Sequence, residues 1–252
     1  MSQALADALA LPGLHWVVLA TLAAGLVYGF AGFGAALIFM PVATAILEPV
    51  LAVAAFSISA LISLVTVVPQ AWGQADRPAT LELLGFSVLG LPLGLFLLAR
   101  AEVELIRWLV LSVVAVTLAM LLLGWRRTTR ESRASRAAVG AGAGLVGGAT
   151  GLNGPVMVLF QLSSRDGAAR SRANTICFLT LNSMALLPAM ALMGVLPRDG
   201  VALGALLLVP YGVGSLAGRF LFDPANEGLY RGVAYAVIAA ALVAGLPVWG
   251  AA

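Results

Sequence analysis

Two stretches of the chain hold residues whose type and spacing suit the binding of an anion: GLVYGFAGFGAALIFMP at 25–41 and GLVGGATGLNGPVMVLF at 144–160. Gly25, Leu26, Val27, Gly29 and Gly32 of the first recur as Gly144, Leu145, Val146, Gly148 and Gly151 of the second, an offset of 119. Each copy runs apolar, reaches a glycine-rich turn and runs apolar again. Glycine permits a turn that other residues resist and lets backbone N–H groups approach a ligand. A helix that restarts after such a turn offers unpaired N–H groups and partial positive charge. The candidate substrate contacts are therefore the turn residues Gly32, Phe33 and Gly34, with Gly151, Leu152, Asn153 and Gly154. Asn153 adds side-chain N–H donors for the oxygens of an anion. The competing explanation for Gly32 and Gly151 is close helix–helix packing by small residues.

Other polar residues join the list on weaker grounds. Asn174 and Asn182 are eight residues apart, about two helical turns and roughly one face. An Asn in a membrane span is costly without a partner, and a packing bond and a ligand contact both stay open for each. Thr175, Thr180 and Ser57 can satisfy their hydroxyls on their own helices. Arg170 and Arg172 fall at a cytoplasmic mouth, where guanidinium forks suit oxyanions; the alternative is that they only orient the chain in the membrane. Glu48 and Glu82 read as interfacial. Ser215 in GVGSLAG would need a base to act as a nucleophile, and the only histidine, His15, is at the other end of the chain. One His and one Cys (Cys177) make neither a usual zinc site nor a disulfide or CxxC pair. No catalytic residue, metal or cofactor is expected.

Something must hold these residues, and composition says what. The chain has 252 residues, 62% hydrophobic and 10% charged, with a mean hydropathy of +1.04. A soluble domain carries about 25% charged residues. This chain cannot cover a water-facing surface, so it reads as an all-α polytopic membrane protein. Its basic character comes from arginine in loops. Without a basic face or helix, nucleic acid is not an expected partner. The N-terminus lacks the basic region of a signal peptide, so the first apolar stretch is expected to be retained.

The strongest break in composition is WRRTTRESRASR, with five Arg against one Glu. It divides the chain into a first transmembrane repeat, 1–124, an Arg-rich linker, 125–136, and a second transmembrane repeat, 137–252. The first repeat has apolar segments at about 14–31, 35–47, 50–70, 81–99 and 103–124; the second at about 137–151, 155–163, 173–194, 200–221 and 229–247. The positive-inside rule puts the linker in the cytoplasm and both termini in the periplasm. Five segments per half is an odd number, so the halves are oppositely oriented, as in inverted-repeat transporters. The 155–163 arm has nine residues. As a helix it is about 13 Å long, under half of a hydrocarbon core about 30 Å thick. Its turn is therefore expected inside the membrane, at the tip of a broken or re-entrant helical hairpin, and the first turn likewise from the other side.

The pattern G-x-x-x-G-x-x-G-x-G at Gly25, Gly29, Gly32 and Gly34, its second copy opening at Gly144, Gly148 and Gly151, and the hydrophobic plan over nearly the whole chain resemble the TauE/SafE family of sulfite exporter-like membrane permeases. The chain differs from the usual glycine-rich turn in having Ala35 and Ala36 after Gly34, and Asn153 and Pro155 in the second copy. The resemblance implies export of a small sulfur-containing anion, sulfite or an organosulfonate, across the bacterial inner membrane. The residues alone add alternating access around a midplane site. They leave open a channel-like permease for another small anion and a non-transporting assembly subunit. The expected partners are a small anionic substrate and the lipid bilayer; a homodimer stays open.

Overall fold

The computed structural model describes residues 9–124, 132–162, 167–221 and 227–247. Every described element longer than a turn is helical. In hydrocarbon no water satisfies the backbone, so a segment must pair its own N–H and C=O groups. The helices of the first half are α1 (Leu14–Ala31), α2 (Ala35–Ile46), α3 (Pro49–Ala60), two short pieces α4 (Ser63–Thr66) and α5 (Val68–Trp72), α6 (Arg77–Arg100) and α7 (Val103–Leu122). Those of the second half are α8 (Arg133–Thr150), α9 (Gly154–Leu162), α10 (Ala168–Leu192), α11 (Arg198–Leu221) and α12 (Glu227–Ala244). Six helical stretches are long and apolar enough to cross a membrane. Large apolar side chains face outward, Leu192 at 89% and Leu89 at 74% exposure, which suits a lipid surround and not water.

The expected segments overlap these helices; α6 and α10 start earlier, at Arg77 and Ala168, and two further points differ. The stretch 50–70 is not one helix. It breaks after Ala60 and again at Val67, just before Pro69, because proline cannot donate the helix bond. Helix α8 also begins inside the stretch 125–136. Ser132 accepts a hydrogen bond from Ser135 N at 3.1 Å and caps α8, so 133–136 are helical. Residues 125–131 of the linker, residue 163 of the short arm and both chain ends lie outside the described residues.

The first helix of each half packs against the long fourth segment of the other half. A Cβ on Gly25 or Gly29 of α1 would run into the backbone oxygens of Tyr211 and Ser215 of α11. A Cβ on Gly144 or Gly148 of α8 would do the same at Ser87 and Leu91 of α6. Each partner answers with glycines of its own: Gly214 and Gly218 against α1, Gly90 and Gly94 against α8. Small residues let helix backbones meet where apolar lipid gives no hydrophobic drive to associate. So Gly25, Gly29, Gly144 and Gly148 recur because two helix crossings need them.

Contacts between helix ends show which ends lie together. At one end, the α8 residues Arg136 and Arg133 pair with Glu82 of α6 at 2.6 and 3.2 Å. There too, Asp76 N donates to Asn174 of α10 at 2.7 Å, and Arg219 of α11 donates to the Thr66 carbonyl at 2.7 Å. At the other end Gly13, before α1, lies against Ile46 at the close of α2, and Gly200 of α11 lies beside Ala54 and Leu51 of α3. Thus α2 returns to the end from which α1 sets out.

Candidate functional site

Both glycine turns are helix breaks. Gly32 ends α1 with φ +78°, its N–H donating to Tyr28 O at 2.9 Å, and Gly34 opens α2 with φ +92°. Gly151 ends α8 with φ +73°, its N–H donating to Gly147 O at 2.8 Å. These are left-handed conformations that only glycine enters cheaply. Leu152 and Asn153 then lead into α9, whose first turn holds Pro155, where a missing N–H costs nothing. The Leu152 N–H is taken by Thr150 Oγ1 at 3.3 Å.

The two breaks meet at one cavity. Gly34, Ala35, Ala36 and Leu37 line it from the first turn of α2, and Asn153 and Gly154 line it from the second break. The rest of the wall comes from α1, α3, α10 and α11, with polar groups from Tyr28, Thr180, Ser183 and Tyr211 and apolar cover from Phe56 and Leu179. All of these residues are buried. The first intrahelical bond of α2 runs from Ile38 N to Gly34 O at 3.1 Å. The N–H groups of Ala35, Ala36 and Leu37 therefore have no acceptor among the described residues. Asn153 is 6% exposed and Ser183 5%, and neither side chain has a hydrogen-bond partner among the described residues. Tyr28 is held firmly: its hydroxyl lies 3.0 Å from Ile176 O, to which it donates, and 2.9 Å from Thr180 Oγ1. Its ring tilts against that of Tyr211 at 6.1 Å. The result is a small, partly open chamber whose buried lining mixes uncharged donors with apolar side chains.

Of the residues singled out in the sequence, Gly34, Asn153, Gly154 and Thr180 line this chamber, Thr180 bonding Tyr28 and not its own helix. Gly32, Phe33, Gly151 and Leu152 shape the turns behind it. Gly32 lies under the stem of Arg172, and Gly151 against Met40 and Val53. Asn174 and Asn182 are not in the chamber wall. Asn174 binds the backbone ahead of α6, and Asn182 Oδ1 accepts from Ser87 of α6 at 2.7 Å while its Nδ2 has no partner among the described residues. Arg172 reaches inward to the end of α1, donating from Nε to the Phe30 carbonyl at 3.0 Å and from its other fork to Gly29. Arg170 is exposed. Thr175 and Ser57 bond their own helices, to Ser171 O at 2.8 Å and Val53 O at 2.7 Å. Tyr28, Ser183 and Tyr211, which also line the chamber, were not among the expected contacts. The one available signal was a Tyr inside the first glycine stretch, away from either end of its helix.

Other chemistries find little here. Ser215 Oγ lies 3.0 Å from both Thr66 Oγ1 and Gly212 O, a packing arrangement without a base, and His15 is exposed at the start of α1. Among the described residues no three His, Cys, Asp or Glu gather as a metal site.

No curated protein and no solved structure matches the chain. The family model described as sulfite exporter TauE/SafE, a family of anion-exporter-type membrane transporters, matches residues 17–245, and the chain, a multi-pass membrane protein, belongs to that family.

Proposed function

We propose that the protein is a secondary transporter that exports a small sulfur-containing oxyanion across the bacterial inner membrane by alternating access. The observation that carries this reading is the chamber between the two helix breaks. The first-turn donors of α2 and an Asn153 without a partner among the described residues share one buried space at the start of α9. Half-helix N-termini at a midplane site are how such transporters hold anions. Oxyanion acceptors fit donors of this kind, and no acid among the described residues lines the chamber to repel them.

The helix-end contacts support inverted halves. With α8 starting beside the start of α6, and α1 starting where α2 ends, the five segments of the first half run opposite to those of the second. The linker end gathers Arg77, Arg133, Arg136 and Arg219, which favours the cytoplasm for that end. Full burial of the chamber wall favours an occluded carrier over an open pore. The chemical identity of the cargo as a sulfur oxyanion, and its outward direction, rest on the family.

The test is uptake of labelled sulfite, sulfate and small sulfonates into proteoliposomes holding the full chain, with and without pH or sodium gradients. Movement of none of them sinks the reading. Movement of one, lost in Asn153→Leu, supports it.

A further inference from the structure

We propose that the chamber selects its anion by charge, taking singly charged oxyanions and rejecting doubly charged ones. This rests on the anion-transport reading above and deepens it by naming the ionic form that the site accepts.

The observation is what the wall contains. Every group facing the chamber is uncharged: backbone N–H groups of Ala35, Ala36 and Leu37, the amide of Asn153, and the hydroxyls of Thr180, Ser183 and two tyrosines. Asn153 and Ser183 are more than nine-tenths buried, line the space and have no partner among the described residues. Two buried polar side chains in this state call for a ligand that completes their bonding. Arg172 sits one layer out, and its guanidinium is engaged with the Gly29 and Phe30 carbonyls. Those carbonyls are the negative end of α1, so the arginine largely offsets a dipole there and leaves little field for the chamber.

Charge arithmetic then decides between ligands. Attraction to fixed neutral donors grows in proportion to the ligand's charge. The cost of stripping its water grows roughly with the square. Two helix N-termini, each equivalent to roughly +0.5 of a charge, balance about one negative charge and not two. The apolar lining of the chamber, Phe56, Leu37 and Leu179, also gives a second charge nothing to bind. In charge and polarity a sulfonate head on a small apolar group, or sulfite carrying one proton, suits this lining, once the cavity, about 20 Å³ in this state, widens to admit it. Sulfate and fully ionised sulfite do not.

The experiment uses the full chain in proteoliposomes. Methanesulfonate keeps one charge and sulfate two across the working pH range, so at fixed pH their competition compares charge directly. Sulfite is then followed through its second ionisation, with methanesulfonate as the control for any titration of the protein. The expected result is that sulfate competes about tenfold or more weakly than methanesulfonate, the scale set by desolvating a second charge. Sulfite transport falls as its dianion replaces the monoanion, while methanesulfonate transport stays level. Ser183→Lys, which puts a positive charge into the chamber, should shift the balance toward sulfate. Equal or stronger competition by sulfate in the wild type overturns the inference and leaves anion transport standing, as does sulfite transport that ignores its ionisation. Failure of all three anions to bind or move overturns both.

Discussion

Arg172 of α10 donates a hydrogen bond of 3.0 Å to the carbonyl of Phe30, two residues before the Gly32 break of α1. A side chain of the second half thus seals the end of a broken helix in the first. Its stem also lies over Gly32, where a Cβ would come 2.7 Å from Arg172 Cγ. At the matching place in the other half, Gly151 meets Val53 and Met40. One break is held by a cation and the other by apolar packing.

This arrangement makes Arg172→Met a severe change. It orphans the Gly29 and Phe30 carbonyls, and a partly buried acceptor without a partner costs about 1–3 kcal/mol. The expected outcome is a lower thermal midpoint and lost transport, with Arg172→Lys recovering part of both because it restores one donor but not the fork. Midpoint and uptake measured together check this. A stable, fully active Arg172→Met protein would remove the arginine from the architecture of the break.

The exchanged helix crossings give a second expectation. Gly148→Ala puts a methyl group 2.7 Å from Leu91 O and 3.0 Å from Leu95 N, all backbone. Neither neighbour can rotate away, so α6 and α8 must separate. Gly85→Ala on α6 meets nothing within 4 Å and should stabilise by about 0.5–1 kcal/mol through helix propensity alone. Thermal midpoints of the two variants should therefore move in opposite directions.

The chamber yields a third. Asn153→Leu removes a donor near the second tip without crowding a partner, and Ser183→Ala does the same on α10. A hydrogen bond to a charged group is worth about 1.5–3 kcal/mol, so each variant should weaken substrate binding by roughly tenfold to a hundredfold. Folding should change little, because neither side chain bonds to another described residue. Binding isotherms beside melting curves separate the two effects. Unchanged affinity in both variants would place the substrate elsewhere.

Much of this was legible because the chain marks its own breaks. Glycines at 32, 34 and 151 predict turns, and the nine-residue arm predicts a helix too short to cross; α1 and α9 follow those limits closely. The chamber wall was harder to see. Tyr28 meets Thr180 across 152 positions of sequence, and pairing at that distance leaves no local pattern. A tyrosine in an apolar run reads as core until its partner is known. Asn182 misled in the opposite direction. An Asn in a span suggests a ligand, but its oxygen is taken by Ser87, which no spacing rule connects to it.

That pair supports one more prediction. Ser87 Oγ donates to Asn182 Oδ1 at 2.7 Å, both residues fully buried, and Asn182 Nδ2 has no partner among the described residues. Ser87→Ala alone leaves the whole amide unsatisfied and should cost about 1–3 kcal/mol, whereas replacing both partners by apolar groups of similar shape can be nearly neutral. Ser87→Ala combined with Asn182→Leu should therefore be more stable than Ser87→Ala alone, and the double-mutant cycle should return a coupling of about 0.5–3 kcal/mol. Transport should persist in the double variant, since neither residue lines the chamber. Loss of transport in a stable double variant would mean that the orphaned Nδ2 serves the substrate path after all, and would return Asn182 to the binding site.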